Sequence, residues 1–122
     1  MIRVVNLRNY TKKENEELIK IDRSSIFGNP FIMHNESERG KVCLQYEEYF
    51  KKKCDKDEEF YDEIMKLAMK CRDHDVALGC WCHPKQCHGD FLKKAIEQEI
   101  QDFELMLNTI IEVLEEKKNE NE

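Results

Sequence analysis

Hydrophobic and polar positions alternate along the chain with two different spacings, and each spacing predicts a kind of element. Residues 2–7 are a short β-branched run typical of a strand, while residues 17–22 fit either a second strand or a helical turn. Apolar side chains recur at helical spacing over 40–54 and again over 58–71, which predicts two amphipathic helices. The run at 75–82 suits a buried strand because it is brief and ends in Gly, Cys and Pro.

The last apolar stripe predicts one long C-terminal helix. Asp90 is placed to cap its first turn, and the helical pattern continues to about Leu114. From Ile96 onward the spacing is nearly that of a heptad repeat. A helix this long and this apolar needs a partner, either the body of its own domain or a second copy of the chain. The stripe consists of Leu92, Ile96, Ile100, Phe103, Leu107, Ile110 and Leu114.

The order of these elements predicts the fold class. A strand, an uncertain element, a loop, two helices, a strand and a long helix are typical of an α/β protein. We expect a small, mostly parallel, Rossmann-like sheet flanked by helices, with a long C-terminal helix. A chain of 122 residues is about one domain in length.

The net charge of −6 is concentrated near the C-terminus. Residues 97–122 hold nine acidic residues against two lysines, which leaves +1 for residues 1–96. A nearly neutral body argues against a broad nucleic-acid surface but permits recognition of a small anion. No stretch approaches the ~20 apolar residues of a membrane span, and the N-terminus lacks a secretory signal. We therefore expect a cytoplasmic protein, not bound to a membrane, whose cysteines are thiols or metal ligands.

The sequence CWCHPKQCHGD, residues 80–90 and called here the second motif loop, concentrates three of the six cysteines and two of the four histidines. In an extended strand Cys80 and Cys82 would face the same side, and Cys87 with His88 would complete a tetrahedral zinc set. The spacing argues against zinc, because structural zinc sites usually pair cysteines two to four residues apart. Zinc is therefore only one of the open interpretations.

A reactive thiol and a ligand pocket are two further interpretations of this loop. Cys87 precedes the predicted helix, where free N–H groups can lower a thiol pKa, and a neighbouring histidine can serve as its base. Alternatively, the loop lies at the carboxyl edge of the sheet, where open α/β folds bind ligands. There Lys85 and the backbone near Gly89 would hold a phosphate, and Trp81 or a histidine would pack on a base or a ribose. A purely structural role for the thiols and the tryptophan also stays open.

The sequence DRSSIFGNPF, residues 22–31 and called here the first motif loop, combines chain breakers with polar groups. Its Gly-Asn-Pro between bulky apolar residues predicts an ordered loop. A carboxylate, a bidentate cation and short hydrogen-bonding side chains beside a rigid Asn-Pro can recognise a ribose or a phosphate. The alternative is an ordinary turn whose phenylalanines anchor it to the core. The polar residues are Asp22, Arg23, Ser24, Ser25 and Asn29.

The two loops in this order, with Arg39 ahead of a tyrosine-rich helix between them, resemble the domain-of-unknown-function 4326 family of bacteria and their viruses. The resemblance covers about residues 3–96 and implies a compact α/β domain with one site, but it supplies no activity. The chain departs from the family pattern at Ile26-Phe27, where an aromatic such as Trp commonly precedes Gly-Asn-Pro, and in its long C-terminal helix. The implied site comprises Arg23, Gly28, Asn29, Pro30, Phe31, Arg39, Cys80, Trp81, Cys82, Cys87, His88, Gly89 and Asp90.

Our leading hypothesis is a pocket for a nucleotide or nucleotide-derived small molecule between the two loops. If the protein is an enzyme, the expected class is hydrolysis or transfer at a glycosidic or phosphate bond, in a bacterial or virus-infected bacterial cell. Two alternatives are a viral protein that sequesters a signalling nucleotide without turnover and a zinc-stabilised interaction module. Candidate catalytic residues are Asp22, His88, Asp90 and Cys87. Candidate ligand-binding residues are Arg23, Ser24, Gly28, Asn29, Arg39, Trp81, Lys85 and Gly89.

The same motifs suggest how the chain is divided. Residues 1–96 are predicted to form the α/β domain with both motif loops. Residues 97–122 are predicted to extend the last helix and to end in a frayed acidic segment. If the helix self-associates, this extension is the oligomerisation element.

Overall fold

The computed structural model describes residues 1–121, which contain three strands and three α-helices. The strands are β1 (Ile2–Asn6), β2 (Glu16–Lys20) and β3 (Asp75–Cys80). The helices are α1 (Arg39–Lys56), which follows a 3-10 turn at Glu36–Glu38, α2 (Glu58–Asp73) and α3 (His88–Glu120). The predicted α/β class with a long C-terminal helix is therefore confirmed.

The element that the sequence left open is a strand. β2 pairs along its whole length with β3, and these ladder partners lie far away in sequence, so local periodicity alone could not identify it. The two predicted amphipathic helices are confirmed as α1 and α2. They are separated only by Asp57, whose side chain accepts a hydrogen bond from the Phe60 N–H at 3.1 Å and caps α2.

The sheet is parallel, with strand order β1-β3-β2. In its centre Leu78 of β3 lies opposite Val4 of β1 and Ile19 of β2. A central strand is covered on both faces, which explains why every residue from Val76 to Cys80 is buried. Because the strands are parallel, their carboxyl ends meet at one edge of the sheet.

The two faces of the sheet have different coverings. Ile2 and Val4 of β1, with Val76 and Leu78 of β3, join one apolar cluster with the helices. On the other face a Cβ at Gly79 would come within 2.5 Å of the Leu7 side chain, so the chain after β1 packs directly on β3 there. The helical side of the core is completed by Tyr46, Phe50, Phe60, Ile64, Leu67, Leu92 and Ile96.

The helix α3 extends beyond its predicted end near Leu114 and runs to Glu120. No proline or glycine follows Gly89 in this helix, and Lys117 and Lys118 lie in its last turn, where cations interact favourably with the helix dipole. Its first turns are buried against the body, and Arg72 of α2 stacks over Phe103 at 5.2 Å. Among residues 1–121, no helix has the length and apolar character needed to cross a membrane.

Candidate functional site

Both motif loops begin at the carboxyl edge of the sheet, directly after neighbouring strands. The first follows β2, where the Ile21 N–H donates to the carbonyl of Gly79 at 2.9 Å and fixes the strand end against β3. The second begins at Cys80, the last residue of β3. Residues at this edge of a parallel sheet are free of ladder partners and available to a ligand.

The first motif loop is held in shape by its own polar groups. The Asn29 amide donates to the carbonyl of Val42 on α1 at 3.0 Å, and its oxygen accepts from the Phe31 N–H at 2.9 Å. The Arg23 guanidinium donates to the carbonyls of Asn29 and Phe31. A Cβ at Gly28 would lie 2.4 Å from the Asp22 carbonyl oxygen, so only glycine permits this close approach. Asn29 and Gly28 therefore shape the loop.

The second motif loop is less extended than the sequence pattern predicted. β3 ends at Cys80, so the prediction that Cys80 and Cys82 share one strand face is wrong. Cys82 lies instead in a turn, in which its carbonyl accepts from the Lys85 N–H at 2.8 Å. The strand stops here because the Asn6 side chain donates to the carbonyls of Trp81 and His83, which takes the place of ladder pairing.

The start of α3 also differs from its prediction. The N-cap is Cys87, and Asp90 is the third helical residue, so the assignment of Asp90 as N-cap is wrong. The Asp90 carboxylate reaches back to accept from the Cys87 N–H at 3.2 Å, which forms a capping box. Gly89 allows the helix to pack on the sheet, since a Cβ there would lie 2.8 Å from Ile21 Cδ1.

Between the loops and the start of α1 lies a cavity of about 410 Å³. It is lined by residues from both loops and from α1, so the structure brings together most of the residues singled out by the sequence. Gly28, Lys85, Gly89 and Asp90 are not among its lining residues. The predicted residues that line it are Asp22, Arg23, Ser24, Asn29, Phe31, Arg39, Cys80, Trp81, Cys82, Cys87 and His88.

Sequence reasoning missed much of the apolar wall of this cavity. Ile32 and Met33 follow the first motif loop, and Val42 and Cys43 lie on α1. Helical periodicity predicted Val42 as a core residue. The periodicity of one element cannot show that a loop and a helix together form the wall of a cavity. The polar Gln86 also lines the cavity, and its carbonyl accepts from Arg39 at 3.0 Å.

Trp81 and Asp22 connect the two loops at the cavity. The Trp81 indole N–H donates to Asp22 Oδ2 at 3.0 Å, although 57% of the tryptophan surface remains exposed. The Ser24 hydroxyl and backbone N–H donate to the other carboxylate oxygen. The hydrogen bonds from Ser24 and Trp81 lower the pKa of Asp22, so the group is a carboxylate near neutral pH.

Arg39 is held by an acidic neighbour. Its guanidinium makes a two-pronged pair with the Glu36 carboxylate at 2.8 and 2.9 Å, and the Lys85 ammonium lies 3.3 Å from the same carboxylate. The Arg39 side chain lowers the pKa of Glu36 to about 2, with Lys85 adding to the effect. The Glu36 carboxylate, followed by the Cys82 side chain, raises the pKa of Arg39. Glu36 thus offsets much of the positive charge at this side of the cavity.

His88 is buried and already hydrogen-bonded. Its Nε2 lies 2.6 Å from the carbonyl oxygen of Ile21, which requires Nε2 to carry the proton and donate. Burial lowers the pKa of His88, so the neutral ring is the form present near neutral pH. The edge of the ring packs against Tyr46 with centroids 4.9 Å apart. His88 joins α3 to the end of β2.

Cys80 and Cys87 form a close pair of thiols. Their Sγ atoms are 3.3 Å apart and both residues are buried. The hydrogen bond between the two sulfurs, with Cys87 as the donor, lowers the pKa of Cys80 against the opposing effect of burial. The pKa of Cys87 is raised because its proton is shared with the neighbouring sulfur and because it is buried.

The four residues predicted as a zinc set are not gathered around one point. Nε2 of His88 is directed at the Ile21 carbonyl, and Cys82 lies in the turn beside Arg39. Among residues 1–121 there is no group of three or more His, Cys, Asp or Glu side chains able to hold a metal ion. The donor arrangement therefore does not fit a tetrahedral zinc site.

Comparison with known proteins gives one match. A family model described as domain of unknown function (DUF4326) matches residues 5–98, a span that contains the end of β1, both motif loops and the start of α3. No curated protein and no solved structure matches the chain. Because the model covers well over half of the sequence, the chain belongs to the DUF4326 family.

Proposed function

We propose that the cavity binds a nucleotide or a nucleotide-derived small molecule. The observation that carries this proposal is the convergence of the two motif loops on one cavity of about 410 Å³, with an exposed indole at its rim and arginines in its lining. Pockets of this size that combine apolar walls with a few fixed polar groups are typical small-molecule sites.

Trp81 is the proposed contact for a base. Its ring is 57% exposed, yet its N–H is fixed by Asp22, so stacking on it costs little side-chain entropy. The Asp22 carboxylate lies beside it and accepts hydrogen bonds, which suits the hydroxyl groups of a ribose. Ile32 and Met33 supply an apolar wall for the rest of the ligand.

Arg23 is the proposed contact for a phosphate. Within residues 1–121 its guanidinium pairs with carbonyl oxygens and with no carboxylate, so its positive charge is not neutralised. Arg39 is paired with Glu36 and contributes less net charge. Lys85 also pairs with Glu36 and lies outside the cavity lining. Among the described residues that line the cavity, Arg23 is the cation without a carboxylate partner, and a single such charge favours a ligand with few phosphate groups.

The engagement of the candidate catalytic groups favours binding without turnover. His88 donates to Ile21, Asp90 caps α3, and Cys87 keeps its proton beside Cys80. Asp22 accepts from Ser24 and Trp81, and these bonds make its carboxylate a weaker base. We therefore favour sequestration of the ligand over hydrolysis or transfer, and we place this role in the cytoplasm of a bacterial or virus-infected bacterial cell.

The proposal includes a homodimer through α3. Beyond Phe103 the heptad positions Ile110 and Leu114 are 47% and 60% exposed. In an antiparallel pair centred near Asn108, Lys117 and Lys118 of one copy lie beside the acidic segment 97–104 of the other. The apolar stripe that continues along α3 and the pairing of these lysines with the acidic segment both favour a second copy of the chain as the partner.

A ligand panel tests the binding proposal. Full-length protein is titrated calorimetrically with AMP, ADP, NAD⁺, ADP-ribose, ribose and inorganic phosphate. We expect saturable binding of at least one nucleotide, weaker binding of its fragments, and recovery of the ligand unchanged. Arg23→Ala should weaken binding at least tenfold, whereas Arg8→Ala, an exposed arginine outside the cavity, should not. Equal heats for wild type and Arg23→Ala would contradict the phosphate contact.

A further inference from the structure

We propose that Cys80 and Cys87 are a peroxide-sensitive dithiol that closes reversibly to a disulfide at the floor of the cavity. The proposal does not depend on the ligand that the cavity binds. It rests on the placement of two thiols by rigid elements and on their access to a small oxidant.

The two sulfurs are held close together by the fold. Cys80 ends the central strand β3 and Cys87 is the N-cap of α3, and their Sγ atoms are 3.3 Å apart. A disulfide needs an S–S distance of ~2.05 Å, so the two sulfurs must move closer than they are in the dithiol. The intervening turn is fixed by Asn6 and by the Lys85 N–H, so the two backbones do not drift apart.

The pair is buried but not sealed. Cys80 is 2% exposed and Cys87 is 4% exposed, which excludes bulky reagents. Both residues nevertheless line the cavity, through which a molecule the size of hydrogen peroxide can reach them. With Cys87 as the donor, the 3.3 Å contact between the two sulfurs stabilises the Cys80 thiolate, so we take Cys80 as the attacking group and Cys87 as the resolving one.

The reaction balances with hydrogen peroxide as the oxidant. The Cys80 thiolate attacks one peroxide oxygen and breaks the O–O bond, and the departing hydroxide takes up the proton that Cys80 released, giving water. The Cys87 sulfur then attacks the sulfenic sulfur of Cys80 and breaks its S–O bond. The hydroxyl group leaves with the proton of Cys87 as a second water. The dithiol loses two electrons and the peroxide gains them.

Peptide mapping of the full-length protein tests this inference. The protein is exposed to a small excess of hydrogen peroxide, alkylated and digested with trypsin, which cleaves after Lys85 and separates the two cysteines. We expect a peptide pair joined through Cys80 and Cys87, with the other four cysteines alkylated, and full reversal by dithiothreitol. Thermal unfolding of the oxidised form should shift upward by a few degrees, because the cross-link restricts the unfolded chain.

Two variants sharpen the test. Cys82→Ser removes the remaining thiol of the loop and should leave the Cys80–Cys87 link unchanged. Cys87→Ser removes the resolving thiol and should stop the reaction at a Cys80 sulfenic acid, which a 1,3-dione reagent traps when the oxidised protein is unfolded in its presence. A disulfide that includes Cys82, or irreversible oxidation of wild-type Cys80 without a disulfide, would overturn the inference. The wild-type and Cys82→Ser maps decide the question even if Cys87→Ser does not fold.

Discussion

At the scale of single residues, the shape of the first motif loop depends on Gly28 and Asn29. Gly28 lies against the backbone of Asp22 and Arg23. The Asn29 side-chain amide donates to α1 through its nitrogen and accepts from the loop through its oxygen. These two residues create the geometry in which Asp22 and Arg23 meet the cavity. Both residues therefore position other residues, and Asn29 also lines the cavity. Contact of either residue with a ligand stays a prediction.

Replacing Gly28 tests this positioning role. Gly28→Ala places a Cβ 2.4 Å from the Asp22 carbonyl oxygen, so the loop must shift, at a cost of ~1–3 kcal/mol in the free energy of unfolding. Gly40→Ala is the matched control, because no atom lies within 4 Å of its added Cβ and its helical position should gain ~0.5–1 kcal/mol. Urea unfolding of both variants measures the difference. Equal stabilities would contradict the close packing of the loop.

Glu16 gives a prediction for acid stability. It is buried, and it accepts two hydrogen bonds from Arg3 and one from Tyr10. The bonds from Arg3 are the main cause that lowers its pKa from 4.5 to about 2. Because the pKa is lower in the folded state, its stabilising contribution is complete above pH 4.5 and is lost as the pH falls toward 2. The free energy of unfolding should therefore decrease across that interval.

The matching variants are Glu16→Gln and Glu17→Gln. The first should be less stable than wild type at neutral pH and should lose less stability on acidification. The second changes an exposed neighbour and should keep the wild-type profile. Denaturation curves at several pH values report both effects. An unchanged acid profile in Glu16→Gln would assign the acid sensitivity to other groups.

At the scale of elements, local patterns predicted where helices lie better than how they begin. Periodicity predicted α1, α2 and most of α3, because each buries one regular stripe. It could not predict β2 as a strand, since the pairing partner is more than fifty residues away. It also misplaced the start of α3, because a cysteine is an uncommon N-cap and the carboxylate of Asp90 can act from inside the first turn.

The capping box at the start of α3 predicts that Asp90 has a structural role and not a catalytic one, and replacing Asp90 tests this. Asp90→Ala removes the acceptor of the Cys87 N–H and should cost ~0.5–2 kcal/mol of stability. Ligand affinity should change little, since Asp90 does not line the cavity. Asp62→Ala, at an exposed position on α2, should remain within ~0.5 kcal/mol of wild type. Loss of ligand affinity in Asp90→Ala without loss of stability would contradict a purely structural role and would indicate that Asp90 acts on the ligand.

The exposed part of α3 gives a prediction about assembly. Native mass spectrometry and light scattering should report a dimer at micromolar concentration. Ile110→Glu combined with Leu114→Glu should dissociate it, because the introduced carboxylates would be buried without partners in the apolar seam. Glu112→Gln changes the outer face of the same helix and should leave the dimer intact. A wild-type monomer at these concentrations would contradict the proposed pairing of α3.

At the scale of the whole molecule, the parallel sheet brings distant segments together. The two motif loops are about fifty residues apart in sequence, but β2 and β3 are neighbours and end at the same edge. The sequence predicted a shared site for this reason. It could not predict that His88 and Cys87 are engaged in packing and capping, since those contacts depend on the distance between α3 and the sheet. Because these contacts occupy the candidate catalytic groups, they favour ligand binding over catalysis.

The single tryptophan of the chain allows the central claim to be measured directly. Trp81 lies at the cavity, so its fluorescence reports on ligand binding without a label. We predict a saturable change in Trp81 emission on titration with one of the nucleotides of the panel, and a much weaker response in Arg23→Ala. Unchanged emission with every nucleotide, or a response that Arg23→Ala leaves intact, would contradict a nucleotide pocket between the two motif loops.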